Sequence, residues 1–288
     1  MNFLIYLLFR FFVFWFHLIP FRLLYFISDI LYYWFYYIHR YRKKTVFLNL
    51  RNAFPDKSSD EIRKIAKEFY HYMVDVLLES LKSFTMNEKD MIRRYLCQQP
   101  DFLREFYHGN RNVICVAGHY NNWEWGGVAT GSQVLHKPVG FYKPLTNKFI
   151  DNYINRTRVR GRAVLAPITY TSDFFNKLWE EPCLFYMVAD QSPHSGRLAF
   201  WMTFLNQDTA VLHGPEKYAH IHNLPVVFSK INKVKRGFYE VEFILLEADP
   251  SGSPEGEITR KYIQALEKMI IENPSNYLWS HRRWKLRR

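Results

Sequence analysis

The chain has 288 residues, 48% of them hydrophobic and 18% aromatic, and its 39 Lys and Arg against 27 Asp and Glu leave a formal charge of +12. That length buries a real core in one large domain or two small ones, and the charge favours an anionic partner: nucleic acid, an anionic membrane surface or a phosphorylated substrate. Three cysteines (Cys97, Cys115, Cys183) stand at spacings that fit neither a disulfide framework nor a zinc site. Cys115 and Cys183 lie in apolar runs and read as small buried hydrophobes in a reducing compartment.

Residues 1–44, MNFLIYLLFRFFVFWFHLIPFRLLYFISDILYYWFYYIHRYRKK, are the most biased segment. No basic stretch precedes the apolar run and no small-residue cleavage site follows it, so it is a poor signal peptide. Arg10, His17, Arg22 and Asp29 interrupt it, and no charge-free run reaches the roughly 18 residues of a clean spanning helix. Each of the pairs Arg10/His17 and Arg22/Asp29 is seven residues apart and shares a helical face, and Pro20 separates two helices. The segment is expected to form a hydrophobic helical membrane anchor, either a re-entrant hairpin or amphipathic helices lying in the bilayer interface. An aromatic helical pair buried in a soluble core is the alternative. The cluster Arg40, Arg42, Lys43, Lys44 then faces anionic lipid on the cytoplasmic side.

Next, a Ser58-x-x-Glu61 capping box opens one long amphipathic helix with Ile62, Ile65, Phe69, Met73, Leu77 and Leu81 on its core face. From about residue 112 short apolar runs alternate with helical patterns. Strands are expected at 112–117, 138–142, 163–167, 184–190, 225–230 and 239–246. Helices are expected near 121–135, 147–160, 171–180, 212–222 and 255–273. The fold class is therefore α/β, a mixed and largely parallel sheet flanked by helices. The simplest partition is an anchoring segment, 1–44, and a catalytic domain, 45–288.

Functional groups in such sheets gather beyond the C-terminal ends of strands. In VICVAGHYNNWEWGG, His119 stands at such an end and Glu124 falls in the first turn of the next helix. Across a strand-to-helix bend the carboxylate could fix the imidazole tautomer and raise the basicity of the other nitrogen, making His119 a general base. There is no Gly-x-Ser-x-Gly elbow and no His-Glu-x-x-His, which speaks against a covalent serine hydrolase and the common zinc protease. Asp190 closes the strand in VADQS, either as a cap or as part of the chemistry. NRTRVRGR sets Arg156, Arg158, Arg160 and Arg162 at alternate positions, which on a helix fan around the circumference.

Taken together, RYRKKTVFLNLRNAFPDKSSDEI, FYHYMVDVLLE, GHYNNWEWGG, NRTRVRGR, VADQS and NYLWSHRRWK resemble the late acyltransferases of bacterial lipid A biosynthesis, within the lysophospholipid acyltransferase superfamily. The resemblance runs from about residue 37 to the C-terminus, and the last motif, with Tyr277, Trp279, His281, Arg282 and Arg283, is the most specific. It implies transfer of a fatty acyl group from an acyl carrier protein thioester to a hydroxyl of a phosphorylated glycolipid, at the cytoplasmic face of the bacterial inner membrane, with anionic lipid as a further partner. The family's His-x4-Asp/Glu pair maps onto His119 and Glu124. Arg158, with Arg156, Asp190, Arg282 and Arg283, is implied in oxyanion or substrate contact, and no metal or cofactor is expected. Transfer to another glycolipid or an aminolipid, a thioesterase or lipase using the same pair on water, and a non-catalytic membrane-surface module are the competing readings. Nucleic-acid binding is disfavoured because no such module is recognisable.

Overall fold

The computed structural model describes residues 1–159, 162–196 and 199–288. Seven strands form the main sheet: β1 (Tyr95–Cys97), β2 (Val113–Ala117), β3 (Lys137–Tyr142), β4 (Val164–Pro167), β5 (Cys183–Val188), β8 (Val226–Lys235) and β9 (Phe238–Glu247). They lie in the order β1-β9-β8-β2-β5-β3-β4. All neighbours are parallel except β8 and β9, an antiparallel hairpin. A separate hairpin joins β6 (Phe200–Phe204) to β7 (Gln207–Val211).

All six expected strands are present, five within two residues of their expected ends and the sixth, β8, running five residues further to Lys235. Strand β2 lies at the centre, between β8 and β5, and is buried at every position. Its side chains alternate between two cores, as a period of two requires. Ile114 and Val116 pack with α11 (Glu257–Glu272) and α4 (Ser59–Ser83) on one face. Val113, Cys115 and Ala117 pack on the other face with α5 (Glu88–Arg94) and α7 (Trp123–Ala129). Both faces are covered, which is why the strand reads as an unbroken apolar run rather than an alternating one. The three cysteines are free and buried.

Helix α4 begins with the expected capping box: Glu61 N donates to Ser58 Oγ, and Ser58 N donates to Glu61 Oε2. The N-terminal segment forms α1 (Asn2–Leu18) and α2 (Phe21–Tyr33), the latter running on to Ile38, with a bend of 120° between them. Among the described residues no single helix is long and apolar enough to cross a membrane; only this bent pair has the length and composition together.

The corner is fixed by α4. Lys82 donates to the carbonyls of Phe16, His17 and Ile19 at 2.7–2.8 Å, satisfying the end of α1 with one ammonium group. Helix α2 turns polar groups inward. Ser28 Oγ donates to Asp75 Oδ1 at 2.6 Å, and Arg236 of the β8–β9 hairpin bridges Asp75 and Asp29, at 2.6 Å to each. Arg22 stays exposed, so the Arg22/Asp29 pair is divided between solvent and body. The basic cluster is divided as well. Arg42 donates to the Ser280 carbonyl, and Lys43 donates to the Tyr36 carbonyl with its ammonium 3.7 Å from the centre of the Tyr36 ring. Phe3, Leu4, Leu7, Leu8, Phe11, Phe12, Phe14 and Trp15 of α1 remain exposed.

Candidate active site

Strands β2 and β5 are parallel with Ala117 opposite Val188, so the residues two beyond each end meet at the same sheet edge. Those residues are His119 and Asp190. The imidazole Nδ1 lies 2.5 Å from Asp190 Oδ1, and the His119 backbone N–H donates to Oδ2 at 3.0 Å. One carboxylate thus holds both the ring and the backbone of the histidine. Gly118 permits the close approach of α11, since a Cβ there would lie 2.6 Å from Leu266 Cδ1.

Asp190, and not Glu124, is therefore the carboxylate that orients the imidazole. Asn121 sits in the left-handed region (φ 51°) and turns the chain sharply, so that α7 starts at Trp123. The Trp123 ring packs edge-on against the imidazole, 5.0 Å between centres, and Glu124 points past it to Arg158, with Oε2 2.6 Å from Nη2. Arg158 ends α8 (Lys148–Arg158), which packs against α1. Asn147 at the head of α8 donates to the Asn2 carbonyl, and Arg10 of α1 lies over the Tyr153 ring at 4.7 Å.

The electrostatics follow from burial. Desolvation alone would lower the His119 pKa, but the charge and hydrogen bond of Asp190, aided by Glu124, outweigh it and hold the imidazole above its ordinary value. Burial would raise the Asp190 carboxyl, but His119 first, then Arg283, holds it below the usual range. With Nδ1–H donated to an ionised Asp190, the neutral ring presents Nε2 as an acceptor. The Gln191 amide nitrogen lies 3.0 Å from it. This is the arrangement of a general base whose tautomer is fixed from behind.

The turn that carries the histidine is tied down from several sides. Leu278 N donates to the His119 carbonyl, Tyr120 bridges Tyr277, and Asn121 N donates to the Asn276 carbonyl. Tyr72 Oη donates to the Asn121 carbonyl at 2.8 Å, and Tyr262 Oη to the Ala117 carbonyl at 3.0 Å. The C-terminal motif thus braces the back of the site. Of its basic residues, Arg283 is 2% exposed and donates to the Ala210 carbonyl at 2.7 Å, while Nε and Nη2 find no partner among the described residues. Arg282 is exposed, as is Arg156 in the last turn of α8. Arg160 lies outside the described residues. Of the seven residues expected at the site, the structure joins His119 to Asp190 and Glu124 to Arg158, buries Arg283 within electrostatic reach of Asp190, and leaves Arg156 and Arg282 on the surface. Gln191 was not expected; its only sequence signal is its place immediately after Asp190.

Comparison with known proteins identifies the family. Residues 2–286 match the family described as bacterial lipid A biosynthesis acyltransferase. The chain is 23% identical over 247 residues to the lipid A biosynthesis palmitoleoyltransferase of Escherichia coli K12, covering 83% of this chain and 77% of that protein. It is 24% identical over 249 residues to the lipid A biosynthesis lauroyltransferase of the same organism, covering 85% and 80%. A lipid A biosynthesis acyltransferase of Shigella flexneri aligns over 247 residues at 23% identity, covering 83% and 77%. The chain belongs to the bacterial lipid A biosynthesis acyltransferase family.

Proposed function

We propose that this member of the family transfers a fatty acyl group from an acyl carrier protein thioester to a hydroxyl of a lipid A precursor, the secondary acylation of that glycolipid. The observation that carries the reading is the His119–Asp190 pair, a buried carboxylate on a partly exposed imidazole whose Nε2 is turned away from it. His119 Nε2 takes the proton of the acceptor hydroxyl as that oxygen attacks the thioester carbonyl. Asp190 keeps Nδ1–H in place and stabilises the imidazolium that forms. The tetrahedral intermediate then collapses, the carbon–sulfur bond breaks, and the proton on Nε2 passes to the departing carrier thiolate. Arg158, steadied by Glu124, supplies a cation for the oxyanion or for a phosphate of the acceptor.

The same reading assigns residues 1–44 to attachment at the cytoplasmic face of the inner membrane. Its support is the row of exposed aromatic and aliphatic side chains on α1, far more than a soluble surface carries singly. Anionic lipid would meet the exposed Arg22, Arg40 and Lys44.

The test is negative-ion mass spectrometry of glycolipids from a parent strain, a deletion strain, and the deletion complemented with wild type or His119→Ala. Loss of one acyl unit from lipid A on deletion, restored by wild type alone, is the expected result. Unchanged lipid A removes it as the acceptor, and restoration by His119→Ala removes the general base. Free fatty acid released from acyl carrier protein without acceptor, as fast as transfer, would make the enzyme a thioesterase.

A further inference from the structure

Helix α4 carries a carboxylate for which the chemistry above has no use. Glu79 is fully buried, and its carboxylate accepts from three elements: Tyr25 Oη of α2 at 2.8 Å, Tyr239 Oη of β9 at 2.8 Å, and Asn122 Nδ2 at 2.7 Å. Its backbone carbonyl accepts from Trp125 Nε1 at 3.1 Å. The other end of the Asn122 amide is engaged too, Oδ1 accepting from Trp125 N at 3.0 Å and so capping α7. Held at both ends, that amide fixes where α7 begins. Seven residues earlier on the same helical face, Tyr72 grips the Asn121 carbonyl. Both asparagines that turn the chain between His119 and Glu124 are therefore held by α4. Burial pushes the Glu79 pKa up to about 7, opposed by the hydrogen bonds from Tyr239, Tyr25 and Asn122.

We propose that Glu79 is a positioning residue for acyl transfer, holding Asn122 so that α7 presents Glu124 near the His119 imidazole, where it meets Arg158 of α8. The proposal rests on the acyltransferase reading for its kinetic consequence, though not for its structural one. Tyr25 shares the same carboxylate, so the membrane-facing segment contributes to the hold.

Two substitutions separate the acceptor from the space it fills. Glu79→Gln keeps one carbonyl oxygen for Asn122 and Tyr239, while its NH2 can donate to a reversed Tyr25 hydroxyl. Glu79→Leu fills the site and accepts nothing. The full chain in detergent micelles is assayed with lauroyl-acyl carrier protein as donor and a lipid A precursor lacking secondary acyl chains as acceptor. Glu79→Leu is expected to lower kcat between about tenfold and a hundredfold, the scale of a small misplacement, with the donor KM within about twofold. Glu79→Gln should recover most of that loss, and Asn122→Ala should reproduce it, the double variant with Glu79→Leu being no worse than either. Leu78→Ala, which cuts into the α2–α4 contact without touching the turn, should lower the melting temperature yet keep kcat within about twofold.

Hydrogen exchange at the Trp125 and Gly126 amides, which Asn122 holds, should quicken in Glu79→Leu and not in Leu78→Ala. The proposal is overturned if those amides stay protected, or if Glu79→Leu loses no more kcat than Leu78→Ala. Should Glu79→Leu fail to fold, wild-type kcat in Asn122→Ala overturns it equally. Were the wild type to transfer nothing, the acyltransferase reading would fall while the exchange data still decided the positioning role.

Discussion

Two buried carboxylates invite comparison. Asp190 at the sheet edge and Asp75 under the N-terminal corner are both almost wholly removed from water, and each has one basic partner close by. Asp75 meets Arg236, whose guanidinium keeps its proton at any pH the protein meets, and Ser28 and Asp29 complete the cluster. Asp190 meets an imidazole, which can surrender a proton from its far nitrogen. The first pair joins helix to body; on the proposed mechanism the second passes a proton in each turnover. The difference lies in the partner's chemistry, since burial is nearly equal.

Substitutions should divide along the same line. The largest effect is expected from His119→Ala, about 10⁴-fold in kcat, with the melting temperature and vesicle binding close to wild type. Activity lost together with vesicle binding would mean that the two regions are not separable. Asp190→Asn comes next, at least about 10²-fold, because the amide no longer enforces the working tautomer. It also carries a sign. On the proposed mechanism the active base is the neutral imidazole, so kcat/KM should rise with pH through the His119 pKa, which Asp190 holds above the ordinary imidazole value. Removing the charge leaves burial unopposed except by Glu124, and the acidic limb of the profile should move to lower pH. A limb that stays put, followed by pH-rate measurement, would assign it to another group.

At the corner the currency is stability. Arg236→Ala strands Asp75 with Ser28 as its remaining donor among the described residues. Discounted for the partial exposure of the arginine, it should cost about 2 kcal/mol in urea unfolding. The variant's kcat below its melting range should remain within about twofold. Smallest of all, Phe11→Ser on the open face of α1 should change folding stability by less than about 0.5 kcal/mol. Its partition onto anionic vesicles should weaken by about 2 kcal/mol, measured by co-sedimentation. An unfolding midpoint that falls with Phe11→Ser would show that this face packs inside the protein in solution.

Much of this fold is legible in the sequence. The strands and the capped helix α4 announce themselves because central parallel strands are continuous apolar runs and Ser58-x-x-Glu61 is a strong start signal. Strand β1 is hidden because three residues are too few to show a period. The β6–β7 hairpin is hidden by its turn, where Leu205 (φ 51°) and Asn206 (φ 60°) take conformations usually signalled by Asn-Gly. The N-terminal helices mislead in a different way. Of their polar interruptions, Arg22 faces solvent while the half-buried Asp29 turns to Arg236, and the aromatics divide too, Phe11 and Trp15 outward and Tyr25, Tyr32 and Tyr36 inward. Hydropathy registers an interruption without saying which side it faces.

At the site, spacing along the chain draws attention to Glu124, five residues from His119. The true neighbour is Asp190, 71 residues away, joined only by strand register. Its position after an apolar run was visible, but its pairing was not. No local pattern reports which two strands lie side by side.

That register has a consequence for how the site tolerates change. The span between His119 and Asp190 is set by the ladder linking Ala117 to Val188, and each loop adds only two residues to it. A substitution elsewhere that leaves this ladder intact leaves that span intact. An insertion or deletion of a single residue at 118 or 189 is another matter, since it slides one partner by about 3.3 Å along the strand direction, beyond any hydrogen bond. The register of the pair is brittle to changes in length.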